Sequence, residues 1–200
     1  MHLVCLDLEG VLVPEIWIAV ADKTGRPELR RTTRDEPDYD KLMRYRLALL
    51  DQHGITLPMI QEVIGTLRPL DGALPFLEWL RARTQVIILS DTFEQFAAPL
   101  LRQLGWPTLL CHELETGPGG RITGYRLRQP DQKRRAVEAL RGLNYQVIAA
   151  GDSHNDLAML QAAHHGILFR PTDAFAAAHP NFPVTRDHAA MRAEIEKLLA

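Results

Sequence analysis

His2-Leu3-Val4-Cys5-Leu6-Asp7-Leu8-Glu9-Gly10-Val11-Leu12 decides how the rest of this chain is read. Residues 3–6 form a short continuous apolar run, which reads as a buried strand. The run ends in two carboxylates, Asp7 and Glu9, followed by Gly10. Acid at the end of a buried strand is costly unless a metal, a cation or a hydrogen-bond partner compensates it. At the carboxyl end of a strand in an α/β sheet, that compensation is usually a site.

Working outward, strand-like runs recur at residues 3–8, 85–89, 108–111, 146–150 and 166–169. Amphipathic helical runs separate most of them, at 73–83, 92–104, 132–143 and 154–163. Continuous apolar strands alternating with helices predict an α/β fold, a Rossmann-like parallel sheet with helices on both faces. A last helix over 189–199 is expected to pack on one flank.

Two stretches break the alternation. Residues 14 to about 68 are helical throughout, at 15–24, 39–53 and 58–67, and return through Pro69-Leu-Asp-Gly72. They read as a helical cap, 14–69, inserted into a core made of 1–13 and 70–200. In the second stretch, Gly117-Pro-Gly-Gly120 lies between two strand-like segments, which predicts a β-hairpin flap over 112–128.

The chain has 200 residues, enough for one α/β domain with a small insertion. A net charge of −2 leaves no basic surplus for nucleic acid. Cys5 and Cys111 both lie in apolar runs and read as buried reduced thiols rather than a disulfide framework. Asp7 interrupts the N-terminal apolar run, and no stretch reaches the length of a membrane span. The expectation is a soluble cytoplasmic protein that acts on a small molecule, with no nucleic-acid or membrane partner. The sequence leaves the oligomeric state open.

Four clusters carry chemistry. Asp7 can attack phosphorus as a carboxylate, giving an acyl phosphate that water or an alcohol resolves. Glu9, two residues on, points to the same side of an extended segment and can trade a proton with the leaving and entering oxygens. An Asp-Glu-Gly turn closing a strand is the plain structural alternative. Ser90-Asp91-Thr92 ends the next strand, where a hydroxyl and backbone N–H groups suit a phosphoryl group; helix N-capping is the alternative. Lys133, in Lys133-Arg-Arg135, opposes the dipole of the helix it opens, and such broken rules cluster at sites. Some of these three cations read as a solvated face. In Gly151-Asp152-Ser-His-Asn155-Asp156, Asp152 is a candidate magnesium ligand. Ser153…Asp156 fits a capping-box pattern, and Asp156 can cap the following helix and also orient a metal-bound water from behind the ligands. Four acids around two strand ends would repel severely without a divalent cation.

This ordered set resembles the haloacid dehalogenase superfamily of phosphatases, whose four motifs match Asp7/Glu9, Ser90, Lys133 and Gly151-Asp152…Asn155-Asp156. The similarity covers nearly the whole chain, including a cap after the first motif. Asp-Leu-Glu-Gly-Val-Leu-Val-Pro-Glu and Leu-Ser-Asp-Thr-Phe look like the bifunctional phosphoserine phosphatase/homoserine phosphotransferase group. The wider superfamily usually carries Asp at the acid/base position; Glu9 is the variation found in the bifunctional group. The resemblance implies that Asp7, the backbone carbonyl of Glu9 and Asp152 hold Mg2+.

A cap over the strand ends would choose the leaving group. Phosphoserine carries an ammonium and a carboxylate, so an anion and a cation are expected there; Glu15 and Arg46 are the candidates. Arg46 lies on the apolar stripe of Tyr39, Leu42, Met43, Leu49 and Leu50, whereas Arg44, about 200° away, faces solvent. An inward Arg needs an anion, either a substrate carboxylate or an internal partner such as Glu15. The resemblance places Ser90 and Asn155 at the same amino-acid end. Trp17 and Met43 read as cap core. The expected activity is phosphoserine hydrolysis, with homoserine as a second acceptor. The alternatives are a phosphatase for another small metabolite and a non-catalytic phosphoamino-acid sensor.

Overall fold

The computed structural model describes residues 1–33, 35–36 and 38–199; Arg34 and Pro37, within the expected cap, and Ala200 lie outside the described residues. One seven-stranded sheet organises the chain. Its strands are β1 (His2–Leu6), β2 (Gln85–Phe93), β3 (Thr108–Thr116), β4 (Ile122–Arg126), β5 (Gln146–Gly151), β6 (His165–Phe169) and β7 (Val184–Thr185). The spatial order is β4-β3-β2-β1-β5-β6-β7. Every pairing is parallel except β3 with β4, which forms the antiparallel hairpin.

Alternation along β1 explains why it sits in the centre. Val4 and Leu6 join one apolar cluster, Leu3 and Cys5 the other, so both faces of the strand are buried. Helices α6 (Gln132–Gly142) and α7 (Leu157–Ala162) cover one face through Ala136, Val137, Met159 and Leu160. Helices α4 (Ala73–Arg81), α5 (Glu94–Gln103) and α9 (His188–Leu199) cover the other through Phe76, Leu80, Phe96 and Met191. A short helix, α8 (Asp173–Ala178), with Phe175 buried, precedes β7. The α/β arrangement read from the sequence is therefore the observed one.

Between β1 and α4 run α1 (Ile16–Thr24), α2 (Tyr39–Gln52) and α3 (Leu57–Thr66). Gly25 ends α1 in a left-handed conformation, its N–H returning to Ala21 and Asp22 carbonyls. Asp38 caps α2 by accepting from the Lys41 N–H at 3.0 Å. The hairpin reaches this helical segment: Tyr125 hydrogen-bonds Asp40, and Arg121 Nε donates to Asp51 at 2.7 Å.

Among the boundaries that differ from the reading above, two bear on the site. The strand expected to stop at 89 continues to Phe93 across a register shift, so the following helix begins at Glu94 rather than 92. Ser90 and Thr92 accordingly belong to the strand end and do not cap α5. The helix expected over 154–163 opens as a 3-10 turn, His154–Asp156, before α7.

Candidate active site

Parallel register brings the motifs together. Leu6 pairs with Ile88 on one side and Ala150 on the other, so Asp7, Ser90 and Asp152 stand at the carboxyl ends of three adjacent strands. The Asp7 N–H donates to the Ala150 carbonyl at 3.0 Å, carrying the pairing one residue past β1. Gly10, at φ +77°, then turns the chain tightly beside Asp152. A Cβ there would stand 2.8 Å from the Asp152 carboxylate carbon, which is why the position takes glycine.

Lys133 is buried between carboxylates. Its Nζ donates to Asp7 Oδ1 and to Asp156 Oδ1, each at 2.8 Å, and lies 3.7 Å from Asp91 Oδ2. Burial disfavours its charge, but Asp156, Asp7 and Asp91 outweigh that and raise its pKa well above the ordinary lysine value. Arg134 instead pairs with Asp131 and Glu138 on the outer face of α6.

Asp156 is fully buried and fully engaged. Its Oδ2 accepts from the Asp152 N–H at 2.9 Å and the Ser153 N–H at 3.3 Å, completing a capping box with Ser153. Asp7, Asp152 and Asp156 bring carboxylate oxygens within 4.8 Å of one another. Burial first, then Asp156 and Asp152, raise Asp7 well above the usual carboxylate range, against the pull of Lys133. Three buried carboxylates thus carry more charge than one lysine offsets. Hard oxygen donors with surplus negative charge fit a divalent cation such as Mg2+.

Asp91 is the opposite case. Burial pushes its carboxyl up, but Lys133 and hydrogen bonds involving His112, Gln132 and Asn155 hold it well below the usual range. Gln132 Nε2 donates to Asp91 Oδ1 at 3.1 Å and to the Ser90 carbonyl at 2.6 Å; Asn155 Nδ2 donates to Asp91 Oδ2 at 3.3 Å. His112 Nδ1 accepts from the Arg128 N–H at 3.1 Å, so its proton resides on Nε2, which faces Asp91 Oδ1 at 3.6 Å. Ser90 is buried, its Oγ accepting from the Thr92 N–H at 3.2 Å.

Glu9 hangs from the helical segment. Its Oε2 accepts from the Ile16 N–H, the first residue of α1, at 2.8 Å. Burial and the neighbouring Glu15 raise its carboxyl to about 7, against the Ile16 hydrogen bond, Arg46 and the Thr92 hydroxyl.

Above these strand ends lies a cleft of about 580 Å³, partly open to solvent, that reaches from Asp7 and Lys133 to Glu15 and Arg46. Arg46 is 6% exposed. Nη2 donates to the Arg31 carbonyl at 2.7 Å, the guanidinium sits 4.4 Å over the Trp17 ring, and Nε has no hydrogen-bond partner among the described residues. Burial lowers its pKa to about 10, so it stays charged. Glu15, the residue before α1, has extended backbone and makes no side-chain cap.

The structure therefore gathers Asp7, Glu9, Glu15, Arg46, Ser90, Asp91, Thr92, Lys133, Asp152 and Asn155 around one cleft, with Asp156 directly beneath. Tyr39, Thr32 and Thr33 also line it and were not singled out from the sequence. Tyr39 gave a signal, since it shares the apolar stripe with Arg46; its hydroxyl donates to the Asp91 carbonyl at 2.8 Å. Gln132 and His112 gave none, because their role depends on a long-range meeting with Asp91. Trp17 and Met43 are buried, and the Trp17 ring also borders the cleft.

The fold places the chain in a class of hydrolases built on an α/β sheet: it belongs to the haloacid dehalogenase-like hydrolase family, whose model matches residues 16–161. That span begins after Asp7 and Glu9. The chain is 57% identical over 197 residues to phosphoserine phosphatase ThrH of Pseudomonas aeruginosa, covering 98% of this chain and 96% of that protein. It is 55% identical over 197 residues to a phosphoserine phosphatase of Pseudomonas syringae pv. tomato, covering 98% and 83%. Among solved structures, a substrate-bound phosphoserine phosphatase superposes with a TM-score of 0.80 at 18% identity, covering 98% of this chain and 97% of that one. A phospho-aspartyl intermediate analogue of phosphoserine phosphatase gives 0.78 at 21%, covering 100% and 99%. These two show the shared fold. The family read from the four motifs is borne out.

Proposed function

We propose that this protein is a Mg2+-dependent phosphoserine phosphatase that forms an aspartyl phosphate on Asp7 and also passes the phosphoryl group to homoserine. One observation carries the reading. A buried, charged Arg46, its Nε without a partner among the described residues, borders the same cleft as the Asp7–Lys133 pair, with Glu15 beside it. An ammonium, a carboxylate and a phosphate on one small molecule would meet Glu15, Arg46 and Lys133. The names of the relatives at 57% and 55% identity support the same substrate.

Residues 14–69 serve as the cap and residues 1–13 and 70–200 as the core in this reading. Asp7, the Glu9 carbonyl and Asp152 would hold Mg2+, with Asp156 behind them. When bound, Mg2+ offsets phosphoryl charge and keeps Asp7 ionised.

The Asp7 carboxylate attacks phosphorus and the bond from phosphorus to the serine oxygen breaks. Glu9 gives its proton to that departing oxygen. Lys133 and Ser90 hold the phosphoryl oxygens. Serine leaves, and Glu9, now a carboxylate, takes a proton from water or from the homoserine hydroxyl. The deprotonated oxygen attacks phosphorus, freeing Asp7 and ending as phosphate or phosphohomoserine. A carboxyl held at about 7 can serve as acid and then as base near neutral pH. Positioning and charge stabilisation supply most of what phosphoryl transfer needs. Placement in the cytoplasm fits the two unbridged cysteines.

Phosphorus NMR on L-phosphoserine with Mg2+, with and without homoserine, tests this. Phosphate alone in both samples limits the acceptor to water. A phosphohomoserine signal establishes transfer. Phosphoserine untouched in both overturns the amino-acid reading of Glu15 and Arg46.

A further inference from the structure

His188, the first residue of α9, is 3% exposed and lies outside the catalytic cleft. It touches both places where the chain crosses between β1 or α4 and the helical segment α1–α3. Nε2 lies 2.8 Å from the Val11 carbonyl, on the outgoing crossing. Nδ1 lies 2.9 Å from the Asp71 carbonyl, on the returning one. The crossings also meet directly, the Leu70 N–H donating to the Leu12 carbonyl at 2.9 Å.

The ring is held in place from several sides. Asp187 caps α9, its Oδ1 accepting from the Ala190 N–H at 2.7 Å. Phe169 and Phe76 flank the imidazole at centroid distances of 4.7 and 5.4 Å. Gly72, at φ +83°, admits it: a Cβ there would stand 3.3 Å from Nδ1.

Val11 is two residues beyond Glu9, in a loop closed on itself. The Leu12 and Val13 N–H groups both donate to the Leu8 carbonyl, at 2.8 and 3.0 Å, and the Gly10 N–H donates to Val13 at 2.8 Å. A grip on the Val11 carbonyl is thus a grip on the turn that carries Glu9. Both ring nitrogens face carbonyl oxygens, yet a neutral imidazole has one proton. Val11 is fully buried, whereas Asp71 is exposed and its carbonyl is reached more readily by water. The cost of an unmade bond is higher at Val11. Burial holds His188 below the ordinary histidine value despite both carbonyls and nearby Asp187, with Arg170 lowering it further, which favours the neutral ring.

We propose that His188 is a positioning residue: its Nε2–H, donated to Val11, clasps the crossing and holds the Glu9 turn in register with Asp7. The inference rests on Glu9 acting as the proton donor in the function proposed above.

Two amide isosteres separate the two bonds. Gln places a donor where Nε2 stands and keeps Val11; Asn places one where Nδ1 stands and keeps Asp71. Turnover is measured on phosphoserine, whose alkoxide needs a proton, and on p-nitrophenyl phosphate, whose phenolate leaves without one. His188→Asn should lose about tenfold in kcat/KM, which reports the steps up to departure of the leaving group, on phosphoserine and less than about twofold on p-nitrophenyl phosphate, with His188→Gln close to wild type on both. Equal losses on the two substrates, or equal behaviour of Asn and Gln, overturn the proposal and leave a packing residue. Nitrogen NMR of the wild-type imidazole is a second test that needs no variant. A protonated Nε2 coupled through its hydrogen bond to the Val11 carbonyl supports the clasp; a protonated Nδ1 overturns it. If wild type hydrolyses neither substrate, the catalytic reading has failed, and with it the role assigned to the clasp.

Discussion

The carboxylate of Glu9 and the backbone N–H of Ile16 are 2.8 Å apart, so the proposed acid–base group is fastened to the first turn of the helical segment rather than to the sheet alone. Any shift of α1 moves the proton donor relative to Asp7. This bond favours the charged carboxylate, while burial and Glu15 disfavour it more strongly.

That balance has a stability consequence in the metal-free protein. The Glu9 pKa is about 7 folded against 4.5 for an unperturbed carboxyl. The folded state therefore binds more protons between these values, and stability falls as pH rises from 4.5 to about 7. Below that window the group costs nothing; above it the full cost is present. Glu9→Gln should melt higher than wild type at pH 8 and level with it at pH 4, while turnover drops. Thermal melts across pH check this, and a constant difference at every pH would refute it.

Asp7→Asn should lower turnover by at least about a thousandfold while the protein still folds. Phosphate release, with circular dichroism as the folding control, decides it. Wild-type turnover would remove Asp7 as the nucleophile.

Arg46→Ala removes a buried cation whose Nε has no partner among the described residues. Loss of about a hundredfold in kcat/KM is expected on phosphoserine, against a few-fold at most on p-nitrophenyl phosphate, which has no carboxylate to hold. Parallel losses would assign Arg46 to the packing of Trp17 and Arg31.

Mg2+ should raise the melting temperature. At a hundredfold excess over Kd the gain is about 2.7 kcal/mol, roughly 5–10 °C for a chain of this size. Asp152→Asn should fold and lose most of that shift; retention of the full shift would place the cation elsewhere.

Much of this arrangement was legible in the residues. Apolar runs ending in Asp7, Ser90 and Asp152 mark three strand ends, and parallel pairing is the arrangement that brings them together. Arg46 could be assigned inward because Tyr39, Leu42, Met43 and Leu50 share its stripe. What was not legible depends on distance along the chain. The grip of His112 and Gln132 on Asp91 joins the hairpin and α6 to β2, and no periodicity encodes it. The helix at Asp173–Ala178 is fewer than two turns long, too short for a 3.6-residue pattern to show. The extension of β2 to Phe93 was hidden because Ser90-Asp91-Thr92 has the composition of a helix start, while pairing with β3 holds it extended.

The place of β1 in the sheet bears on how the chain is made. Within this sheet β1 comes first in chain order, yet His2 pairs with Gln146, and its second edge stays bare until β5 emerges from the ribosome. Until then the nascent protein carries an uncovered apolar strand tipped with Asp7, and the sheet cannot close before the segment bearing Asp152 arrives. Chains cut short before that point would lack Asp152 and Asp156 and expose an aggregation-prone edge, so the same long-range pairing that gathers the acidic cluster makes an unfinished copy a ready substrate for chaperones and proteases.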